Sequence, residues 1–299
     1  MRNGRNPGSA AMTEPKTCAL DAPGATLHYD VRGNDAATGP VLLLIGSPMG
    51  AEGFVTQAGH FTDRTVVTYD PRGAGRSKRT DGAGQTMVEE HADDLHRLIG
   101  ALGAAPVDIF ASSGGAVNGL ALVARHPEQV RVLVAHEPPA AQELPDREAA
   151  LAAAEGIRQT YLREGFGPAM AKFIALASHE GPIPAGFASR PGPDPAAFGL
   201  PAADDLSRDD PLLCLNMPSC LAYRHDFDAL RAGPARVVLG VGANSGAQLA
   251  GRAAVAVAGR LGTAPVTFPG GHDGFLGGEY GGMGEPDAFA ATLRAVLTG

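Results

Sequence analysis

The residues of this chain best able to do covalent chemistry are two adjacent serines, Ser112 and Ser113, inside the stretch Val107–Ala124, VDIFASSGGAVNGLALVA. The stretch opens on an apolar run (Val107, Ile109, Phe110) suited to a buried strand. It closes on an apolar segment of helical period (Val117, Leu120, Ala121, Ala124). A strand that turns straight into a helix through small residues forces the bend residue into a strained conformation and holds its side chain out at the carboxyl edge of a sheet. Such a bend needs small residues two before and two after its apex. Ser113 has Ala111 and Gly115 there, whereas Ser112 would place Phe110 against the helix. Ser113 is therefore the candidate nucleophile. Taken alone, the stretch also reads as an ordinary strand–loop–helix whose serines cap the helix.

A serine hydroxyl is a poor nucleophile until a base removes its proton, so a histidine must reach it. Of nine histidines, His28 falls in an early strand, His91 and His96 on a helix, and His126 at a helix end. His91 shares an apolar face and is read as a satisfied core histidine. His272 differs. It follows the last strand-like run, in Pro269-Gly270-Gly271-His272-Asp273-Gly274-Phe275. Parallel strands all end on one edge of a sheet, and distant loops converge there. His272 is the candidate general base.

The elements that must position these groups are legible as aliphatic runs. Val41–Ile45 is a continuous aliphatic run, as a strand buried on both faces is, and Val66–Asp70, Val107–Phe110, Val130–His136 and Val237–Val241 read as further strands. Ala264–Phe268 is the last strand, and Cys18–Leu20 with Ala25–Val31 form an antiparallel pair around Pro23-Gly24. Helical segments alternate with the strands, which implies right-handed crossovers and a mostly parallel sheet. One of them opens on a capping box, Thr86 with Glu89. Helices near Gln248–Leu261 and at Pro286–Leu297 close the chain.

From residue 140 to 230 the alternation stops. The segment is helix-prone over Arg147–Arg163, then Pro/Gly-rich over Pro182–Pro201 and acidic over Ala203–Asp210. It reads as an inserted helical cap, or lid, between core segments 17–139 and 231–299, and residues 1–16 read as disordered. A length of 299 residues suits one large α/β domain with such an insertion. A net charge of −8 argues against nucleic-acid or anionic-membrane partners. The three cysteines (Cys18, Cys214, Cys220) have no metal-ligand spacing and read as reduced thiols. No secretory h-region precedes the core, so a cytoplasmic location is expected. Gly277–Gly284 follows no strand and opens no phosphate-binding helix, so no cofactor and no metal are expected.

With these pieces in place the chain resembles an α/β-hydrolase from residue 17 to its end. The resemblance is carried by Gly46-Ser47-Pro48-Met49-Gly50, by Asp70-Pro71-Arg72-Gly73-Ala74-Gly75-Arg76-Ser77, by the elbow Ala111–Gly115, by His126-Pro127 and by Gly270-Gly271-His272, in family order and spacing. In that family the Asp70–Ser77 turn shapes the sheet edge and is not catalytic. By analogy the backbone amides of Ser47 and Gly114 supply the oxyanion hole. The usual acid position, after the next-to-last strand, reads Gly242-Ala243-Asn244-Ser245-Gly246 and holds no carboxylate. A subset similar to the haloalkane dehalogenases carries the acid after the preceding strand, which here ends in His136-Glu137. Burying a carboxylate at a strand end without a partner is expensive, which adds to the case for Glu137. Asp226 and Asp228 are held as reserves.

The resemblance implies a serine hydrolase of ester, thioester or lactone bonds with a small-molecule substrate. The lid side chains Met170, Phe173, Ile174, Leu176, Leu212, Leu213, Leu215, Met217, Tyr161 and Tyr223 suit a moderately apolar pocket and equally read as the lid's own core. A proline-iminopeptidase-like enzyme or a carbon–carbon bond hydrolase would share this machinery. The first would need an acidic lid group for an amine, with Glu180 and Asp204 as the candidates. A small-molecule binding protein without turnover is the reading from another class.

Overall fold

The structure, a computed structural model, describes residues 14–33, 37–83 and 86–299. Most of the segment expected to be disordered thus lies outside the described residues. Among them, nine strands form one sheet: β1 (Lys16–Ala22), β2 (Ala25–Arg32), β3 (Leu42–Ile45), β4 (Val66–Tyr69), β5 (Lys78–Arg79), β6 (Val107–Ser112), β7 (Val130–His136), β8 (Arg236–Gly242) and β9 (Val266–Phe268). Their order is β1-β2-β4-β3-β6-β7-β8-β9, with the short β5 on the side of β2. The β1–β2 hairpin and the β2–β4 pairing are antiparallel, and every pairing from β4 to β9 is parallel. Parallel strands need long crossovers, and helices supply them.

The pleat sorts the side chains into two cores. Leu43, Ile45, Val67, Ile109, Ala111 and Leu133 face α2 (Val88–Leu102), α3 (Gly114–Arg125) and α8 (Leu249–Leu261). Their strand neighbours Leu42, Leu44, Val66, Phe110, Val132 and Val134 face the other way, toward the side of α1 (Val55–Gly59) and α9 (Pro286–Thr298), among Phe54, Phe61, Phe268 and Phe289. Runs such as Leu42–Ile45 are apolar at every position because both faces are covered.

One helix start differs from expectation. The Thr86 hydroxyl accepts a hydrogen bond from Arg79 at 3.0 Å and caps no helix N–H. The α2 helix begins one residue later, with the Glu90 carboxylate, not Glu89, accepting the Met87 N–H at 2.9 Å.

Between β7 and β8 the chain adds no strand to the sheet. It forms α4 (Arg147–Glu164), α5 (Phe166–Ala177), a π-helical turn over Pro211–Asn216, α6 (Met217–Ala222) and α7 (Phe227–Ala232). The segment leaves the sheet at the carboxyl end of β7 and returns to it at the amino end of β8, which runs parallel to β7. No helix of the described residues is long and apolar enough to cross a membrane.

Candidate active site

Ser113 sits between the last residue of β6 and the first of α3, with φ 56° and ψ −126°. A positive φ is costly for a residue with a Cβ and persists only where its surroundings enforce it. Here the Ser113 N–H donates to the His136 carbonyl at 3.0 Å, tying the bend to the end of β7. The helix start is pressed against the β3 loop. A Cβ at Gly115 would lie 2.6 Å from the Ile45 carbonyl oxygen, and one at Gly114 would lie 2.4 Å from that of Ser47. Only glycine allows this approach.

The same approach brings two backbone amides together. Neither the Ser47 N–H nor the Gly114 N–H has an acceptor among the described residues. Unpaired amides are ordinary at a helix start such as Gly114, and a neighbouring second one makes a place for negative charge. Both residues line the same pocket.

Glu137 follows β7 with φ 48° and is 1% exposed. Its N–H donates to the Gly240 carbonyl at 3.0 Å, and its Oε1 accepts the Gly242 N–H at 2.8 Å, so β8 fixes it at both ends. Its Oε2 lies 2.6 Å from Nδ1 of His272. Burial alone would raise this carboxyl, but the His272 hydrogen bond and the neighbouring imidazoles outweigh it and bring the pKa down to about 2. An ionised carboxylate only accepts, so the imidazole carries its hydrogen on Nδ1 and leaves Nε2 as the basic nitrogen. The His272 loop is itself held: Asn244 N–H donates to Gly270 O at 2.8 Å and Gly274 N–H to Gly271 O at 3.0 Å.

Ser113 and His272 line one pocket of about 210 Å³, without a hydrogen bond between hydroxyl and imidazole. Such contacts are often long before substrate binds. The insertion contributes Phe173, Leu176, Leu212, Met217 and Leu221 to the walls, and α8 contributes Leu249. Other residues expected there lie elsewhere. Leu213, Leu215 and Tyr161 belong to the core, Ile174 lines an outer groove beside His272, and Met170 lines a neighbouring cavity that also touches Leu212.

Sequence reasoning missed Asn216, which lines the pocket at 2% exposure and accepts the Ser47 hydroxyl at 2.7 Å. An asparagine among leucines carries no recognisable pattern. His91 lies buried beside it, but not within hydrogen-bonding geometry, so the expected satisfied histidine has unpartnered ring nitrogens.

The reserve acids are occupied away from the site. Asp226 accepts the Ala229 N–H at 2.9 Å as the cap of α7, and Asp228 pairs with Arg231. Asp70 accepts the Ala51 N–H at 2.8 Å and pairs with Arg76, while Arg72 pairs with Asp94. Glu180 and Asp204 do not line the pocket, and Asp204 is paired with Arg208. Among the described residues no group of three or more His, Cys, Asp or Glu could hold a metal ion.

A family model described as the alpha/beta hydrolase fold matches residues 39–197. The uncharacterised hydrolase YraK of Bacillus subtilis (strain 168) is 34% identical over 262 residues, covering 86% of this chain and 89% of that protein. The chain belongs to the α/β-hydrolase family. Solved structures of this α/β-hydrolase's fold include a thermophilic esterase from Thermogutta terrifontis, with a TM-score of 0.65 at 20% identity over 96% of this chain and 98% of that one. An enol-lactonase from Burkholderia xenovorans LB400 has a TM-score of 0.64 at 18% identity, covering 94% of this chain and 100% of that one.

Proposed function

We propose that this α/β-hydrolase cleaves an ester-type bond (carboxylic ester, lactone or thioester) of a moderately apolar small molecule through an acyl-enzyme on Ser113. His272 Nε2 takes the hydroxyl proton as Ser113 Oγ attacks the carbonyl carbon. The oxygen that gains negative charge sits against the Ser47 and Gly114 amides, fixed dipoles that need no reorganisation. The tetrahedral species collapses, and His272 returns the proton to the leaving oxygen or sulfur. Water then attacks the acyl carbon by the same route in reverse, which regenerates Ser113. Glu137 holds the imidazole in the required tautomer and balances the charge it acquires.

The observation that carries this reading is the 2.6 Å His272–Glu137 contact opening onto the pocket that also holds a strained serine and two unpaired amides. The test is labelling with a fluorophosphonate probe followed by peptide mass spectrometry. The expected result is modification of Ser113 that His272→Ala abolishes. An unlabelled Ser113 in the folded protein favours a binding protein on the same fold.

A further inference from the structure

Asn216 closes the π-helical turn Pro211–Asn216, whose other buried residues are Leu213, Cys214 and Leu215. A buried amide costs free energy unless it is hydrogen-bonded, and a leucine would suit such company better. The Asn216 side-chain carbonyl accepts the Ser47 hydroxyl at 2.7 Å, a buried bond between residues 169 apart in sequence. That bond joins the insertion to the loop after β3, and the Ser47 N–H is one of the two unpaired amides at the pocket. π-Helical turns of this kind are frequent at functional sites.

The other end of the turn is anchored as well. The Asp210 carboxylate accepts the Leu212 and Leu213 N–H groups at 2.9 and 2.8 Å, and the Asp210 N–H donates to the Tyr161 hydroxyl of α4 at 2.9 Å. A continuous polar chain therefore runs from α4 through Asp210 and the turn to Asn216 and Ser47. Leu212, near the start of the turn, and Met217, next to Asn216 in the chain, are pocket walls.

We propose that Asn216 is a positioning residue: by holding the Ser47 hydroxyl it sets the direction of the Ser47 amide, so that alignment of the oxyanion hole depends on how the insertion is seated over the pocket. This rests on the hydrolase reading above and adds to it. An acyl group packed against Leu212 and Met217 presses on the turn that carries Asn216. Binding contacts remote from the carbonyl are thereby used to align the group that stabilises the transition state.

Ser47→Ala removes the hydroxyl and keeps the amide, and Asn216→Leu removes the acceptor in an apolar shape. With p-nitrophenyl butyrate as substrate, each lowers kcat by about tenfold and leaves KM within about twofold, the pattern of an interaction made only in the transition state. The double variant is no slower than Asn216→Leu alone, because the Ser47–Asn216 bond is already lost there together with the Asn216 Nδ2–Pro211 carbonyl bond. Ser47→Thr, which keeps a hydroxyl, holds kcat within about threefold of the parent. Affinity for a trifluoromethyl ketone, whose serine adduct places an oxyanion in the hole, falls by the same factor as kcat, and affinity for butyrate does not move. A merely structural bond would lower Tm in both variants with kcat unchanged. That outcome, or effects that multiply in the double variant, overturns the proposal. Should Asn216→Leu fail to fold, kcat and ketone affinity of Ser47→Ala decide alone. Absence of turnover and of Ser113 labelling in the parent protein is failure of the hydrolase reading, and this proposal falls with it. A working parent with unaltered variants is failure of this proposal by itself.

Discussion

Glu137 and His272 stand on loops after two different strands, β7 and β9, yet the carboxylate and the imidazole Nδ1 meet at 2.6 Å. The intervening strand β8 makes the meeting possible, because its Gly240 carbonyl and Gly242 N–H hold both ends of the glutamate. Removing the charge while keeping the shape isolates its contribution. Glu137→Gln can still accept the Gly242 N–H, so the fold survives, but the imidazole loses its tautomer control and its counter-charge. Ester hydrolysis should fall by roughly 10²–10⁴ in kcat with little change in KM. Full activity in a folded Glu137→Gln protein would assign the orienting acid elsewhere.

Gly114 is constrained from the opposite side. A methyl group there would lie 2.4 Å from the Ser47 carbonyl oxygen and 3.3 Å from Cys220 Sγ, so the β3 loop and α3 must separate. Gly114→Ala should lower kcat/KM by about 10²-fold, the order expected when one oxyanion donor is displaced. Thermal melting separates the local effect from unfolding. Activity near that of the parent protein would show that the two amides need not lie side by side.

Acid should destabilise the protein through its buried histidines before it reaches Glu137. Burial pushes His136 and His225 down to about 4, and burial with the Arg72 charge pushes His91 down to about 3. Between those values and the ordinary 6.5, the unfolded chain binds protons that the folded one excludes. Stability is therefore complete above pH 6.5 and is lost as pH falls, by ~1.4 kcal/mol per pH unit for each such histidine. Glu137, lowered to about 2, adds its own loss only as pH falls from about 4.5. His225 lies between Tyr223 and Phe227 with neither ring nitrogen partnered, so His225→Phe should preserve packing and flatten the curve. Denaturant melts from pH 7 to pH 4.5 provide the measurement. An unchanged slope in His225→Phe would mean that His225 is not buried neutral.

The pocket sets a size limit. An apolar cavity of about 150 Å³ accommodates benzene, and the pocket here, at about 210 Å³, is only somewhat larger. Across a series of p-nitrophenyl esters, kcat/KM should peak at short acyl chains of about four to six carbons and fall for long ones. Leu212 separates the pocket from the neighbouring cavity, and Leu212→Ala should move the optimum toward longer chains. An optimum at long chains in the parent protein would mean that the acyl group does not end at Leu212.

Much of this arrangement is legible in the sequence because a sheet buried on both faces writes itself as aliphatic runs. Leu42–Ile45 and Val130–His136 are clear for that reason, and the loops after them must share an edge. Ser112 ends β6 and the positive φ falls on Ser113, at the position where small neighbours leave room for a bend. The structure places Glu137 beside His272 through a sheet register that is invisible to periodicity. The start of α2 was not legible, because Thr86-Glu89 and Met87-Glu90 have the same spacing and the structure closes the box with Met87 and Glu90. Nor was Asn216, whose partner lies across the fold. The two-residue β5 is too short to show a pattern at all.

The most direct measurement is the mass of the protein stopped by acid during turnover of p-nitrophenyl butyrate, with the modified peptide identified. The account predicts a butyryl group on Ser113, absent in Ser113→Ala and not formed in His272→Ala. Turnover that proceeds with no acyl group on Ser113, or that survives Ser113→Ala, would contradict it.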